Sequence, residues 1–430
     1  MASEKVNMNF DNTLTILRGQ AFFTYGFTVT NNKGIKLLML ADHYDRLAKS
    51  YREMFELPQL PFSYDEFKAW VSDTLTKNNN QNQYGVTIML CGGTARIMNE
   101  TAETYVNNFG GTCTQLIILV KPFTNKPQWS FNQGIHLISF PYQRTLAQSK
   151  PTNYLGGIKG QFIIDTINML CVLTQLSQTT EPQSVTIQDQ VAIMDRVYQL
   201  YMSLPPNQQD QLRLFCNEAR QSHASLQPVY EKFVKEVVLE KNVATYLSQL
   251  NWNIASATLL AQETALFPGL LHDCVFHFPK DPNLLLEGST FSVMGIDQDD
   301  QLIFPALDHQ LNQENVSIEN SDGKLLESTT ILCLLKVAQQ LKLPYKIKKI
   351  DYKLLATFKT TLAISSTRLF WSPAKTLLQP IASINGKWIS RQPLSSIDIY
   401  NQWIAGINAF ISNYEYEAAV NAAAENALVD

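Results

Sequence analysis

Between about Cys171 and Leu266 the sequence changes character, and that change limits the fold more than any other feature. Four helical patterns follow one another there, near residues 187–204, 208–221, 227–241 and 243–265, with almost no strand signal, whereas strand patterns run on both sides. Val191, Met194, Val197, Tyr198 and Tyr201 recur at helical spacing, and Pro205-Pro206 breaks the pattern before the next helix. Stripes of this kind usually form a core. The block therefore reads as an all-helical insertion with its own packing, rather than as a groove for a cofactor or partner.

The flanks set the frame around it. Runs at Gln20 to Thr30 and Lys36 to Leu40, followed by a helix around Ala41 to Glu56, predict a small α+β unit. A helix from Tyr64 to Thr76 comes next, then Val/Ile/Leu-rich strands at Gly85 to Cys91, Thr114 to Val120 and Ile135 to Ser139. Gln143 to Gly157 holds Lys150, Pro151 and paired glycines ahead of a helix starting near Lys159, and suits a crossover between domains. Strand patterns resume at Cys274 to Phe278, Leu284 to Leu286, Phe291 to Gly295 and Gln301 to Phe304, before a helix from Ser328 to Leu341 and a last helix. The expected organisation is an N-terminal α+β domain over 1–142, a C-terminal α+β domain over 143–171 and 259–430, and a helical insertion over 172–258.

Composition narrows the partners. A chain of 430 residues that is 45% hydrophobic can build more than one core. With 34 basic against 38 acidic side chains and no strongly basic block, nucleic acid is not an expected partner. The polar N-terminus does not resemble a leader, and no run approaches the roughly 18 apolar residues of a membrane span. A soluble, cytoplasmic protein without a membrane partner is expected. Cys91, Cys113, Cys171, Cys216, Cys274 and Cys333 lie far apart without a CxxC pair, which predicts buried free thiols rather than disulfides or a zinc site. The histidines at 136, 223, 272, 277 and 309 show no ligand spacing, so no metal is expected.

Three short segments carry chemistry. In Gln148-Ser-Lys-Pro-Thr-Asn-Tyr-Leu-Gly156 a lysine sits at a strand end beside Asn153 and Tyr154, where it can be desolvated and made nucleophilic. In Asn283-Leu-Leu-Leu-Glu-Gly-Ser-Thr-Phe-Ser292 an apolar strand delivers Glu287 to a Gly-Ser-Thr turn, and a carboxylate there could keep a pyridine nitrogen protonated. In Asp42-His-Tyr-Asp-Arg-Leu47 a helix presents Arg46, whose planar charged fork could meet a phosphate. Taken singly, each also reads as an ordinary surface group.

Together and in this order they resemble the motifs of the class IV aminotransferases, the pyridoxal 5'-phosphate (PLP) enzymes of fold type IV. That family includes branched-chain and D-amino acid aminotransferases and 4-amino-4-deoxychorismate lyases. Lys150-Pro-Thr-Asn-Tyr-Leu resembles the family's Lys-x-x-Asn-Tyr-Leu, Leu286-Glu-Gly-Ser-Thr its Glu-Gly-Ser turn, and His43-x-x-Arg46-Leu its His-x-x-Arg-Leu helix. Leu326-Glu-Ser-Thr-Thr-Ile331 lies where the family has a phosphate-binding helix start, Ser365-Ser-Thr-Arg368 where it has Thr-Gly-Thr-Ala, and Pro380 to Lys387 resembles its Pro-Val-x-x-Ile-Asp-Gly hairpin. Ser328, Ile331 and Ser292 depart from the pattern, standing where the family has glycine, arginine and asparagine.

The resemblance implies an α+β, two-domain, D-amino acid aminotransferase-like fold. It gives Lys150 the Schiff-base and proton-transfer role, Tyr154 a place near the cofactor's phenolic oxygen, and Glu287 the pyridine nitrogen. Arg46, Thr329, Thr330 and Thr367 would hold the phosphate. It also implies PLP, a small amino or keto substrate and a homodimer. Gly19-Gln-Ala-Phe-Phe-Thr24, and the two residues between Lys150 and Asn153, sit closer to the lyase and D-amino acid branches. Transamination, elimination of pyruvate from aminodeoxychorismate, and a PLP-fold binding protein without turnover all stay open at this point.

Overall fold

The computed structural model describes residues 21–31, 34–55, 59–78, 83–91, 115–123, 126, 128–144, 149–152, 155–178, 187–221, 271–306, 328–372, 375–389 and 392–416. The first unit is an antiparallel sheet in the order β2-β1-β3-β4, from Ala21–Asn31 (β1), Gly34–Leu37 (β2), Tyr84–Cys91 (β3) and Gln115–Pro122 (β4). Helices Leu40–Phe55 (α1) and Tyr64–Lys77 (α2) cover it. Ser63 starts α2 with a capping box: its hydroxyl accepts from the Glu66 N–H (3.3 Å), and the Glu66 carboxylate accepts from the Ser63 N–H (2.8 Å). The apolar face of α2, Phe67, Val71 and Leu75, packs on Val86, Ile88 and Leu90 of β3.

A larger sheet follows, in the order β10-β9-β8-β11-β13-β5-β6-β7. Its strands are Ile135–Pro141 (β5), Leu271–Phe278 (β6), Asp281–Gly288 (β7), Ser292–Asp297 (β8), Leu302–Pro305 (β9), Tyr345–Lys348 (β10), Phe358–Ile364 (β11) and Lys375–Ile384 (β13). Leu369–Ser372 (β12) and Lys387–Trp388 (β14) also pair with β13. The β13–β14 hairpin closes on Asn385-Gly386, both at positive φ (52° and 76°), as the Asn-Gly in the sequence favours. Gln128–Asn132 (α3), Thr329–Gln340 (α7), Tyr352–Leu355 (α8) and Asp398–Ser412 (α9) complete this part. One buried cluster joins Phe27 and Val29 of β1 to Met294 of β8, Leu334 of α7 and Trp403 of α9, so the two sheets share a core.

The helical block is partly described, as Leu155–Gln178 (α4), Ile187–Ser203 (α5) and Pro206–Gln221 (α6). The patterns at 227–241 and 243–265 lie outside the described residues. Met194, Val197, Tyr198 and Tyr201 are buried, as expected of the stripe, while the Val191 side chain lies outside the described residues. Two boundaries differ from the sequence reading. The first helix begins at Leu155 rather than near Lys159, and the expected edge of the insertion at 172 falls inside it. The paired glycines read as loop, Gly156 and Gly157, lie in the helix, and glycine is needed at Gly156 because a Cβ there would lie 2.3 Å from the Tyr142 ring; a Cβ on Gly160 would likewise lie 2.3 Å from Cys274 Sγ. Cys91, Cys171, Cys274 and Cys333 are buried free thiols, while the Cys113 and Cys216 side chains lie outside the described residues.

Candidate active site

A cavity of about 280 Å³ opens where the two sheets meet. Phe23 and Tyr25 of β1 and Arg46 of α1 line one side, and Arg144 and Lys150 enter from the crossover after β5. Glu287, at the end of β7, and the turn Thr290 to Ser292 line another side. Ser328, Thr329 and Thr330 at the start of α7, with Ser365, Ser366 and Thr367 between β11 and β12, close it. Six of the residues singled out in the sequence, Lys150, Glu287, Arg46, Thr329, Thr330 and Thr367, thus come together from remote parts of the chain. The seventh, Tyr154, lies outside the described residues, as does Asn153. Lys159, the next lysine along the chain, is exposed on α4 and does not line the cavity.

Lys150 is held by its backbone against β1. Phe23 N–H donates to the Lys150 carbonyl (2.9 Å), and Thr152 N–H donates to the Ala21 carbonyl (2.9 Å). The ammonium nitrogen lies 5.0 Å from the centre of the Phe23 ring. Burial first, then the charges of Arg46 and Arg144, lower its pKa to about 7, and Glu287 opposes them. At neutral pH a sizeable fraction of such an amine is uncharged, as a nucleophile must be.

Arg46 is buried and fixed by Thr24, whose hydroxyl oxygen lies 3.4 Å from Nη1. The same hydroxyl lies 2.6 Å from His43 Nδ1. Burial, then Arg46 and Lys150, push the His43 pKa well below its ordinary value, so the ring is neutral and can accept the hydroxyl proton. His43-x-x-Arg46 is therefore one unit: adjacent turns of α1 put both side chains on the same face, and Thr24 of β1 joins them.

Glu287 pairs with Arg144, Nε to Oε1 at 3.0 Å, and both side chains are nearly enclosed. Burial raises the Glu287 pKa, and Arg144, Lys150 and Arg46 pull it back. Arg144 was not singled out in the sequence. Its only signal there is position, since an always-charged side chain six residues before a lysine expected to be desolvated must itself find a partner. Counting Arg46, Arg144 and Lys150 against Glu287, the described lining carries more positive than negative charge, which favours an anionic occupant.

The hydroxyl side has order of its own. Thr330 Oγ1 lies 3.1 Å from Ser366 Oγ, and Ser365 Oγ lies 3.1 Å from Thr367 Oγ1. Ser328 is the N-cap of α7 and accepts from the Ile331 N–H (3.3 Å), which gives the serine at a glycine position a structural use. Ile331, at an arginine position of the pattern, is buried in the shared core instead of facing the cavity. Behind the loops, Arg368 pairs with Asp273 and donates to Gln379, and its guanidinium lies 4.8 Å over the Phe291 ring. Asp273 also accepts from the Ser289 hydroxyl. One buried network therefore ties the loop bearing Thr367 to the turn after Glu287.

No family model matches the sequence, and no curated protein sequence matches it. Two of the solved structures that the chain is similar to over its length illustrate the likeness. One is a Legionella pneumophila protein assigned as a 4-amino-4-deoxychorismate lyase, with 14% identity, 95% of this chain and 96% of that one covered, and a TM-score of 0.51. The other is the branched-chain aminotransferase of the archaeon Thermoproteus uzoniensis, with 12% identity, 94% and 89% covered, and a TM-score of 0.50. At this level of identity the likeness is one of fold.

Proposed function

Because the chain has the fold of the class IV PLP enzymes, the fold type IV architecture, we propose that it binds PLP and acts on the amino group of a small amino acid or related amine, as an aminotransferase. The single observation behind this reading is the convergence of Lys150, Glu287, Arg46 and the paired hydroxyls on one cavity. The donor set fits the cofactor: a near-neutral amine for a carbonyl carbon, a carboxylate for a basic ring nitrogen, and an arginine with hydroxyls and a helix N-terminus for a phosphate.

When bound, PLP supplies a carbonyl that condenses with amines and a ring that accepts an electron pair. Arg46, fixed by Thr24 and His43, would hold the phosphate together with Thr329, Thr330 and Thr367. Glu287, paired with Arg144, would hold the proton on the ring nitrogen. Lys150 Nζ would hold the cofactor at rest and would take and return a proton at the substrate's α-carbon, for which a pKa of about 7 is suited. We further propose that the protein is a homodimer, which sedimentation would check.

The test is to add PLP to the purified protein and to assay it with amino donors and keto-acid acceptors, beside a pyruvate-release assay on aminodeoxychorismate. The reading expects a visible absorbance band and keto-acid-dependent amino transfer. Pyruvate release alone would replace transamination with elimination. A protein that stays colourless with PLP would overturn both.

A further inference from the structure

A second cavity, about 530 Å³, shares no lining residue with the first. It lies between α5, the β13–β14 hairpin, α8 and the start of β7. Its floor is rigid. Asn385 clamps Ser139 with two hydrogen bonds, accepting from its N–H (2.7 Å) and donating to its hydroxyl (2.8 Å). Tyr198 Oη donates to the Ser139 carbonyl (3.2 Å).

Tyr352 Oη is shielded from bulk solvent and lies beside the Ser139 hydroxyl. Burial raises its pKa, so it stays a protonated donor at neutral pH. Lys387 adds a cation, and none of the described lining residues is acidic. Asp195, the acid nearest the hairpin turn, already accepts from the Gln199 amide (3.4 Å). Tyr198, Tyr352 and Trp388 supply aromatic surface, and Trp388 remains 49% exposed.

We propose that this cavity is a binding site for a small planar anion, an aromatic or heterocyclic ring bearing a carboxylate or a phosphate. The ring would lie against Tyr198 and Trp388, while the anion accepts from Tyr352 and neutralises Lys387. Its size falls within the roughly 300–1,000 Å³ of small-molecule sites. The site also touches the framework of the first cavity. Strand β7 carries Asn283 here and Glu287 there, four residues and about 13 Å apart at the usual strand rise.

Calorimetric titration of the full chain with benzoate and, separately, adenosine monophosphate tests this. At least one probe is expected to saturate, and which of them does so tells carboxylate from phosphate. Lys387→Ala should weaken binding about tenfold, and Tyr352→Phe by a factor of about 2 to 10. Lys150→Met, in the other cavity, should leave it unchanged. Lys387 is exposed, so Lys387→Ala should leave the thermal midpoint of the ligand-free protein unchanged, which separates a lost ligand contact from a damaged fold. Failure of both probes to saturate at about 10 mM overturns the proposal. So does binding that Lys150→Met abolishes while Lys387→Ala and Tyr352→Phe leave it intact.

Discussion

Lys150 costs the folded chain stability wherever the unfolded chain would carry its proton freely. Its pKa falls from 10.5 to about 7 on folding. Below about pH 7 both states are charged and the whole cost is felt; between about 7 and 10.5 the unfolded state binds more protons, so stability rises with pH; above that the cost is gone. Lys150→Met should therefore raise the thermal midpoint of cofactor-free protein at pH 6, by an amount that shrinks towards pH 10. A gain independent of pH would show that the lysine is not desolvated. Arg46 makes a separate prediction. If it holds the phosphate, Arg46→Met should weaken PLP binding roughly 10- to 100-fold, the worth of a charge-assisted hydrogen bond, while the thiols and the far cavity stay as they are. Lys150, Glu287 and Arg46 were legible in the sequence because each sits in a short local pattern. Arg144 was not, since its partner Glu287 is far away along the chain and no local pattern reports a pairing of that kind.

At the scale of elements, α7 shows what a departure from a pattern can mean. The serine at 328 looks like damage to a phosphate-binding turn when judged as a missing glycine. In the fold it caps the helix whose first turn lines the cavity. Ser328→Ala should cost about 1 kcal/mol in denaturant unfolding and should also weaken PLP, because the first turn of α7 would fray; Ser328→Asp should restore the cap. Most strands and helices were readable from periodicity, down to β1, α2 and β8 within a residue or two. The start of α4 was not, because the paired Gly156 and Gly157 look like loop residues until Tyr142 occupies the space that a side chain at Gly156 would take. Packing decided there against propensity.

At the scale of the whole molecule, the cavity is a meeting place, with one wall from the small antiparallel sheet and the others from the large mixed one. Asp42 of α1 pairs with Lys336 of α7 (3.3 Å), holding together the two helices that bring Arg46 and Thr330. The Arg368–Asp273 pair does the same for the two loops opposite. Its separation in sequence, 95 residues, hides it from any local reading. Removing one partner, as in Asp273→Leu, should cost about 3–5 kcal/mol by leaving a buried guanidinium uncompensated, whereas Asp273→Leu with Arg368→Met should recover most of that. Additive losses would mean the two charges are not coupled. The central claim, that remote groups assemble one PLP site, is tested most directly by treating PLP-loaded protein with borohydride and locating the reduced cofactor by peptide mass. The account predicts one modified lysine, Lys150, and none after Lys150→Met. Modification at Lys159 instead, or scattered over surface lysines with Lys150 untouched, would contradict it.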